Sequence, residues 1–184
     1  MSSWARVVIA VAVLLATGSI SSCSRPEEAS SASVTRDANP LIGVWEETAI
    51  ITTGRDAANI GNPQPSLYIF TPTHYAMMGT LGDQPRIDYH VLIPTNDEKL
   101  AAFDSFWGNS GTYEINGDVL TIRPRVARMP NFMGGGFERY QFHIDGNTLT
   151  LSFKSTDGNY RLSGKVVPDD RPFSETRTTL VRVK

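Results

Sequence analysis

The chain has 184 residues, with Lys+Arg 17 against Asp+Glu 19 and a single cysteine. Near-neutral charge with no basic block argues against non-specific nucleic-acid binding as the role. One cysteine excludes an internal disulfide, so the fold must hold by packing. The length suits one domain large enough to bury a real core.

The first segment predicts export. Arg6 is the sole charged side chain ahead of Cys23, and Val7 to Ala16 reads VVIAVAVLLA, followed by the small polar run TGSISS. Positive start, apolar middle and small residues at the cut are the order of a secretory signal. The apolar run falls short of the roughly 20 residues that span a bilayer. Ile20-Ser21-Ser22-Cys23 resembles the lipobox of bacterial lipoproteins. That resemblance implies cleavage before Cys23 and its lipidation, with acyl chains such as palmitate as the membrane anchor. Ser24, rather than Asp, implies sorting to the outer membrane if the cell has two membranes. The competing readings are an ordinary signal cut nearby, leaving Cys23 a free thiol, and an uncleaved anchor. The expected organisation is a signal at residues 1–22, the lipidated cysteine and a disordered tether at 23–40, and one domain at 41–184. The tether, SRPEEASSASVTRDANP, lacks apolar periodicity. It would span on the order of 20–25 Å as a flexible coil.

From residue 41 the pattern is that of strands. Gly43–Thr53 is strand-like and ends at Gly54; Ser66–Phe70 and Thr73–Met78 flank Thr71-Pro72. In Arg86–Ile93 the residues Ile87, Tyr89, Val91 and Ile93 alternate with polar ones and predict another strand. Thr95-Asn96-Asp97-Glu98 has capping-box spacing and predicts a helix start. Leu100, Phe103 and Trp107 would form its apolar stripe, with Gly108 as its end. YEINGDVLTI (Tyr113–Ile122) and FHIDGNTLTL (Phe142–Leu151) align without gaps, each as strand, tight turn, strand. Tyr140, Phe142 and Ile144 share one face, to be met by Leu149, Leu151 and Phe153. Asp157-Gly158 predicts a turn before a strand over Tyr160–Val167, and Thr176–Val183 closes the chain. The fold class is all-β: a single antiparallel up-and-down barrel of about eight to ten strands with one short helix.

LIGVWEE, with Gly43 and Trp45, resembles the Gly-x-Trp signature of lipocalins. Together with YIFTPTHYAMM and SGTYEINGDVLTIRP, the chain from about Leu41 to Lys184 resembles the bacterial lipocalin-like domain family, a calycin-type barrel. The resemblance implies that Trp45 plugs the barrel base beside a basic residue, for which Arg182 is the counterpart. It also implies an apolar interior able to hold one small ligand. It supplies no shared catalytic set.

Tyr68, Phe70, Tyr75, Met77, Phe103, Trp107, Tyr113, Tyr140 and Phe142 are the candidate ligand-binding residues, the alternative being that they fill a packed core. Met129, Phe132 and Met133 in the loop Pro124–Gly136 could face a partner or fold down as a satellite core. Arg123 and Arg125 fall on the solvated face of their strand. His74, His90 and His143 are scattered, and no cluster has metal-ligand spacing, so neither metal nor other cofactor is expected. The function that follows is a membrane-anchored barrel that binds or carries a small hydrophobic molecule in the cell envelope. The alternatives are an envelope interaction or inhibitor module with a filled core, and a cofactor-free isomerase or cyclase. The last requires His74, Tyr75 or Tyr113 to face an open pocket.

Overall fold

The computed structural model describes residues 39–184. The predicted signal, Cys23 and the tether up to residue 38 lie outside the described residues. Ten strands follow: β1 (Gly43–Gly54), β2 (Ala58–Ile60), β3 (Ser66–Phe70), β4 (His74–Thr80), β5 (Phe106–Asn116), β6 (Val119–Ala127), β7 (Phe137–Asp145), β8 (Thr148–Leu162), β9 (Lys165–Pro168) and β10 (Ser174–Arg182). One helix, α1 (Asn96–Asp104), and a 3-10 turn (Pro130–Phe132) complete them. Antiparallel pairing runs β1-β3-β4-β5-β6-β7-β8 and returns through β10 to β1, closing an eight-strand barrel. Closure leaves no long unpaired edge in the ring. The two remaining strands sit outside it: β2 on β1 and β9 on β8.

The two aligned hairpins form as expected. Asn116 pairs with Val119 and Asp145 with Thr148, leaving Gly117-Asp118 and Gly146-Asn147 as two-residue loops. The glycines have φ of 61° and 55°, with glycine at the first central position as in a type II′ turn. Alternation then fixes the interior. Trp45, Tyr68, Phe70, Tyr75, Met77, Tyr113, Leu120, Ile122, Leu149, Leu151 and Leu180 form one buried cluster.

The base of the barrel is closed by one arrangement. Trp45 is fully buried and donates from Nε1 to the Leu41 carbonyl at 2.8 Å. The Arg182 guanidinium lies 4.0 Å from the Trp45 ring centroid. It donates to the carbonyls of Ile42 at 2.7 Å and Pro40 at 2.9 Å. Gly43, at φ 137°, leaves room for it: a Cβ there would stand 2.5 Å from Arg182 Nη1. Asn39 adds a hydrogen bond to the Tyr113 hydroxyl, which itself donates to the Thr71 carbonyl. Gly43, Trp45 and Arg182 therefore meet here, and Asn39 and Pro40, assigned by sequence to the tether, hydrogen-bond to the same end of the barrel.

Three expectations need correction. Arg86–Ile93 forms no strand but an exposed loop, with Ile87 86% and Leu92 103% exposed. Period-two alternation is not enough when β4 and β5 pair directly with each other across the connection. The helix begins where predicted, and the capping box is complete: Thr95 Oγ1 accepts from the Glu98 N–H, and Glu98 accepts from the Thr95 N–H. But α1 ends at Ser105, none of its residues is buried, and Trp107 belongs to β5. Asp157-Gly158 makes no turn; β8 runs straight through, and the turn comes at Ser163-Gly164, where both residues have positive φ.

Replacing Arg182 with Met keeps the stem and removes the charge. It should cost about 1–3 kcal/mol, from two charge-assisted hydrogen bonds and the cation–π contact. Trp45→Ala should cost about 3–5 kcal/mol. Urea unfolding followed by far-UV circular dichroism reads both. An unchanged midpoint for Arg182→Met would show that the base does not depend on the guanidinium.

Candidate functional site

At another place the interior is hollow. A cavity of about 380 Å³ is lined by β5, β6, the 3-10 turn, β7, β8, β9 and the loop after β9. No residue of β1, β3, β4 or β10 lines it. Its aromatic wall is Trp107, Phe132, Tyr140 and Tyr160, with Ala127, Leu162 and Val167 completing the apolar surface. Phe132 is anchored by its own burial and by packing on Tyr160 at 5.4 Å between centroids. The loop expected over Pro124–Gly136 starts only at Arg128, because Pro124 to Ala127 continue β6 on β5; it folds down through Phe132 and forms a wall of the cavity, while Met129 stays partly exposed on its rim.

A carboxylate lies in this wall. On β7 the residues Glu138, Tyr140, Phe142 and Ile144 alternate with the exposed Arg139, Gln141 and His143, so the strand's period carries Glu138 inward. Glu138 accepts hydrogen bonds from the Tyr140 hydroxyl at 2.6 Å and the Tyr160 hydroxyl at 2.8 Å. Among the described residues no Lys, Arg or His reaches it as an ion pair. Arg171 lies one group further out, 3.3 Å from the Tyr160 hydroxyl, and is held in a two-point pair by Asp169 at 2.8 and 2.6 Å. Burial pushes the Glu138 carboxyl above its ordinary range, and the two phenol hydrogen bonds pull partly against that. Burial also raises the Tyr140 and Tyr160 phenols, with the negative charge of Glu138 next in effect.

A second inward carboxylate, Glu47 on β1, accepts from the Tyr68 hydroxyl at 2.7 Å and is likewise raised by burial. Tyr68 meets Trp107 edge to face at 5.4 Å, and the Tyr75 hydroxyl donates to Asn109 Oδ1 at 2.6 Å. Asn109 and Trp107 line the cavity. The interior therefore grades from apolar at the base to a tyrosine-and-carboxylate network beside the hollow.

Of the residues singled out in sequence, Trp107 and Tyr140 line this cavity. Tyr68, Phe70, Tyr75, Met77 and Tyr113 are buried in the core, and Phe142 packs against it. Phe103 stands apart: it is half exposed on α1, under the Arg128 guanidinium at 4.6 Å. His74 is exposed, and neither it nor Tyr75 nor Tyr113 lines this cavity. Among the described residues no three His, Cys, Asp or Glu side chains gather as a metal site.

No protein-family model matches the chain, and no curated protein matches it. Among solved structures it is similar to a lipocalin-like protein from Bacteroides uniformis ATCC 8492. That protein is 11% identical, with 78% of this chain and 98% of that one covered and a TM-score of 0.38. It is also similar to an uncharacterized protein from Bacteroides eggerthii DSM 20697, at 9% identity, 78% and 99% coverage and a TM-score of 0.38. The barrel assignment rests on the strand pairing itself.

Glu138 gives a pH signature. A carboxyl whose folded pKa lies above its unfolded value binds more protons when folded, so its contribution to stability declines as pH rises through that interval. Glu138→Gln cannot ionise and escapes the decline. The variant should gain stability relative to the parent as pH rises above the ordinary glutamate range. Carboxyls shifted downward, such as Asp169, titrate in both chains and largely cancel in the difference. Urea midpoints of the two chains through and above that range provide the check, and a gap that stays flat or reverses would contradict a burial-dominated Glu138.

Proposed function

We propose that this chain is a membrane-anchored barrel that binds or carries a small, largely hydrophobic molecule in the bacterial cell envelope. The observation that carries the reading is the cavity walled by Trp107, Phe132, Tyr140 and Tyr160. Its volume falls in the range of small-molecule sites, and such sites combine an apolar lining with few polar groups. A barrel of this strand number has room for one small ligand when its side chains do not fill it. Here the base is filled and the far part is not. Anchoring follows from Ile20-Ser21-Ser22-Cys23, with acyl chains on Cys23 holding the domain at the membrane.

Two measurements test the two halves separately. Native mass spectrometry of a form beginning at Asn39 should show added mass that disappears on organic extraction. Ala127→Phe, which fills the cavity from β6, should lose that mass. A clean mass before extraction, unchanged after exposure to fatty acids, isoprenoids and haem, would count against a hydrophobic cargo. Labelled palmitate fed to expressing cells should enter the parent chain and not Cys23→Ser, which should also leave the membrane fraction. Equal labelling of the two would place the lipid elsewhere or nowhere.

A further inference from the structure

The cavity is apolar in its walls but not neutral. Glu138 is a carboxylate on the inner face of β7, and its protein partners are two phenols rather than a cation. Carboxylates taken out of water are normally paired with positive charge. Neither guanidinium of the cavity wall forms an ion pair with Glu138. Arg171 is engaged at two points by Asp169. Arg128 sits over Phe103 and donates to its carbonyl. A carboxylate offers about four acceptor positions, and two phenol donors leave the remainder free.

We infer that the molecule held here carries a protonated amine, seated on Glu138 beside the rings of Trp107 and Tyr140. This deepens the proposed ligand reading and rests on it. Two independent features of the wall select a cation. The free positions on Glu138 accept ammonium hydrogens. The π-faces of tryptophan and tyrosine attract a cation within about 6 Å of the ring, the more so when it is desolvated. An anionic cargo would meet the opposite balance: three carboxylates, Glu138, Asp169 and Asp170, line the cavity against the two guanidiniums of Arg128 and Arg171. The apolar remainder of the ligand would lie against Ala127, Phe132, Leu162 and Val167. Specificity then comes from one buried polar position in an apolar cup, because an analogue without the ammonium leaves that carboxylate unpaired.

The test is a matched series of one size and shape: 1-naphthylmethylamine, 1-naphthylmethanol and 1-naphthoate. Each is titrated calorimetrically into the purified full-length chain near neutral pH. The amine should bind about tenfold or more tighter than the alcohol, as a charge-assisted hydrogen bond predicts. The carboxylate should bind weakest. Glu138→Gln should remove the amine's advantage over the alcohol. If that variant does not fold, the parent decides through pH. The amine's advantage should shrink on acidification through the carboxyl range, while the alcohol's affinity holds. The groups facing Glu138 in that titration are Tyr140, Tyr160, the nearby Tyr75 and Tyr68, and the Asp169–Arg171 pair. Equal binding of amine and alcohol, or an advantage that survives in folded Glu138→Gln, overturns the amine inference and leaves the hydrophobic-ligand reading intact. Absence of heat with all three probes overturns both.

Discussion

The stacking of Arg182 on Trp45 is the constraint from which the rest of this molecule can be understood. It lies where the ring closes, since Trp45 on β1 is the register partner of Arg182 on β10. The same guanidinium gathers the backbone carbonyls of Pro40 and Ile42, so the chain entering the barrel caps its base. An eight-strand barrel has an interior that side chains can just fill. Every wall facing an empty space forfeits dispersion contacts. A barrel that keeps part of its interior open must therefore be well sealed elsewhere. Here Leu41, Trp45, Leu120, Ile122, Leu149 and Leu180 are all without exposed surface.

The hollow has a structural cause in the strand pairing. β8 pairs with β10 only over Thr148 to Lys154, and from Asn159 to Leu162 its partner is β9 instead. Past Lys154, then, β8 parts from β10 while staying paired with β7 as far as Asn159, and β9 becomes its other neighbour. Its register on β7 also slips, with Tyr140 opposite Phe153 but Glu138 opposite Gly158. Irregular pairing of this kind bends a strand and re-aims its side chains. The slip falls between the two inward residues of β7 that line the cavity. Glu138 sits beyond it, opposite the divergent part of β8, where Tyr160 can reach the carboxylate from the other strand.

Much of this was legible in the sequence, and the gaps have physical reasons. The hairpins at Gly117 and Gly146 were readable because glycine conformation and alternation agree there. The contact of Trp45 with Arg182 joins residues far apart along the chain and gives no local signal. The Arg86–Ile93 loop was misread because alternation reports a pattern and not a partner, and the strands flanking it, β4 and β5, pair with each other. Asp157-Gly158 was misread because a glycine in a strand can mark a slipped or crowded pairing as readily as a turn. Glu138 was the costliest omission. It stands two residues before Tyr140 in the inward frame, as Glu47 stands two after Trp45. An acidic side chain at an apolar position of a strand's alternation was a readable sign. Asp169 and Arg171 had none, since only the folded loop after β9 brings them to Tyr160.

The separation of sealed base from open cavity also governs how the two carboxylates can be tolerated. Each would be costly in a dry core, because desolvation disfavours the charged form. Each is met by a tyrosine hydroxyl, and none by an arginine. Phenols satisfy part of a carboxylate without neutralising it, so the network keeps negative potential inside the barrel instead of cancelling it. For Glu47, enclosed beside Tyr68, that potential acts on the core tyrosines. For Glu138, set in the cavity wall, it acts on whatever enters. A cavity intended only to exclude water would be better served by an apolar residue at that position of β7, since replacing a buried charge by a packed hydrocarbon is often neutral or stabilising. Packing alone therefore does not account for a glutamate at that position.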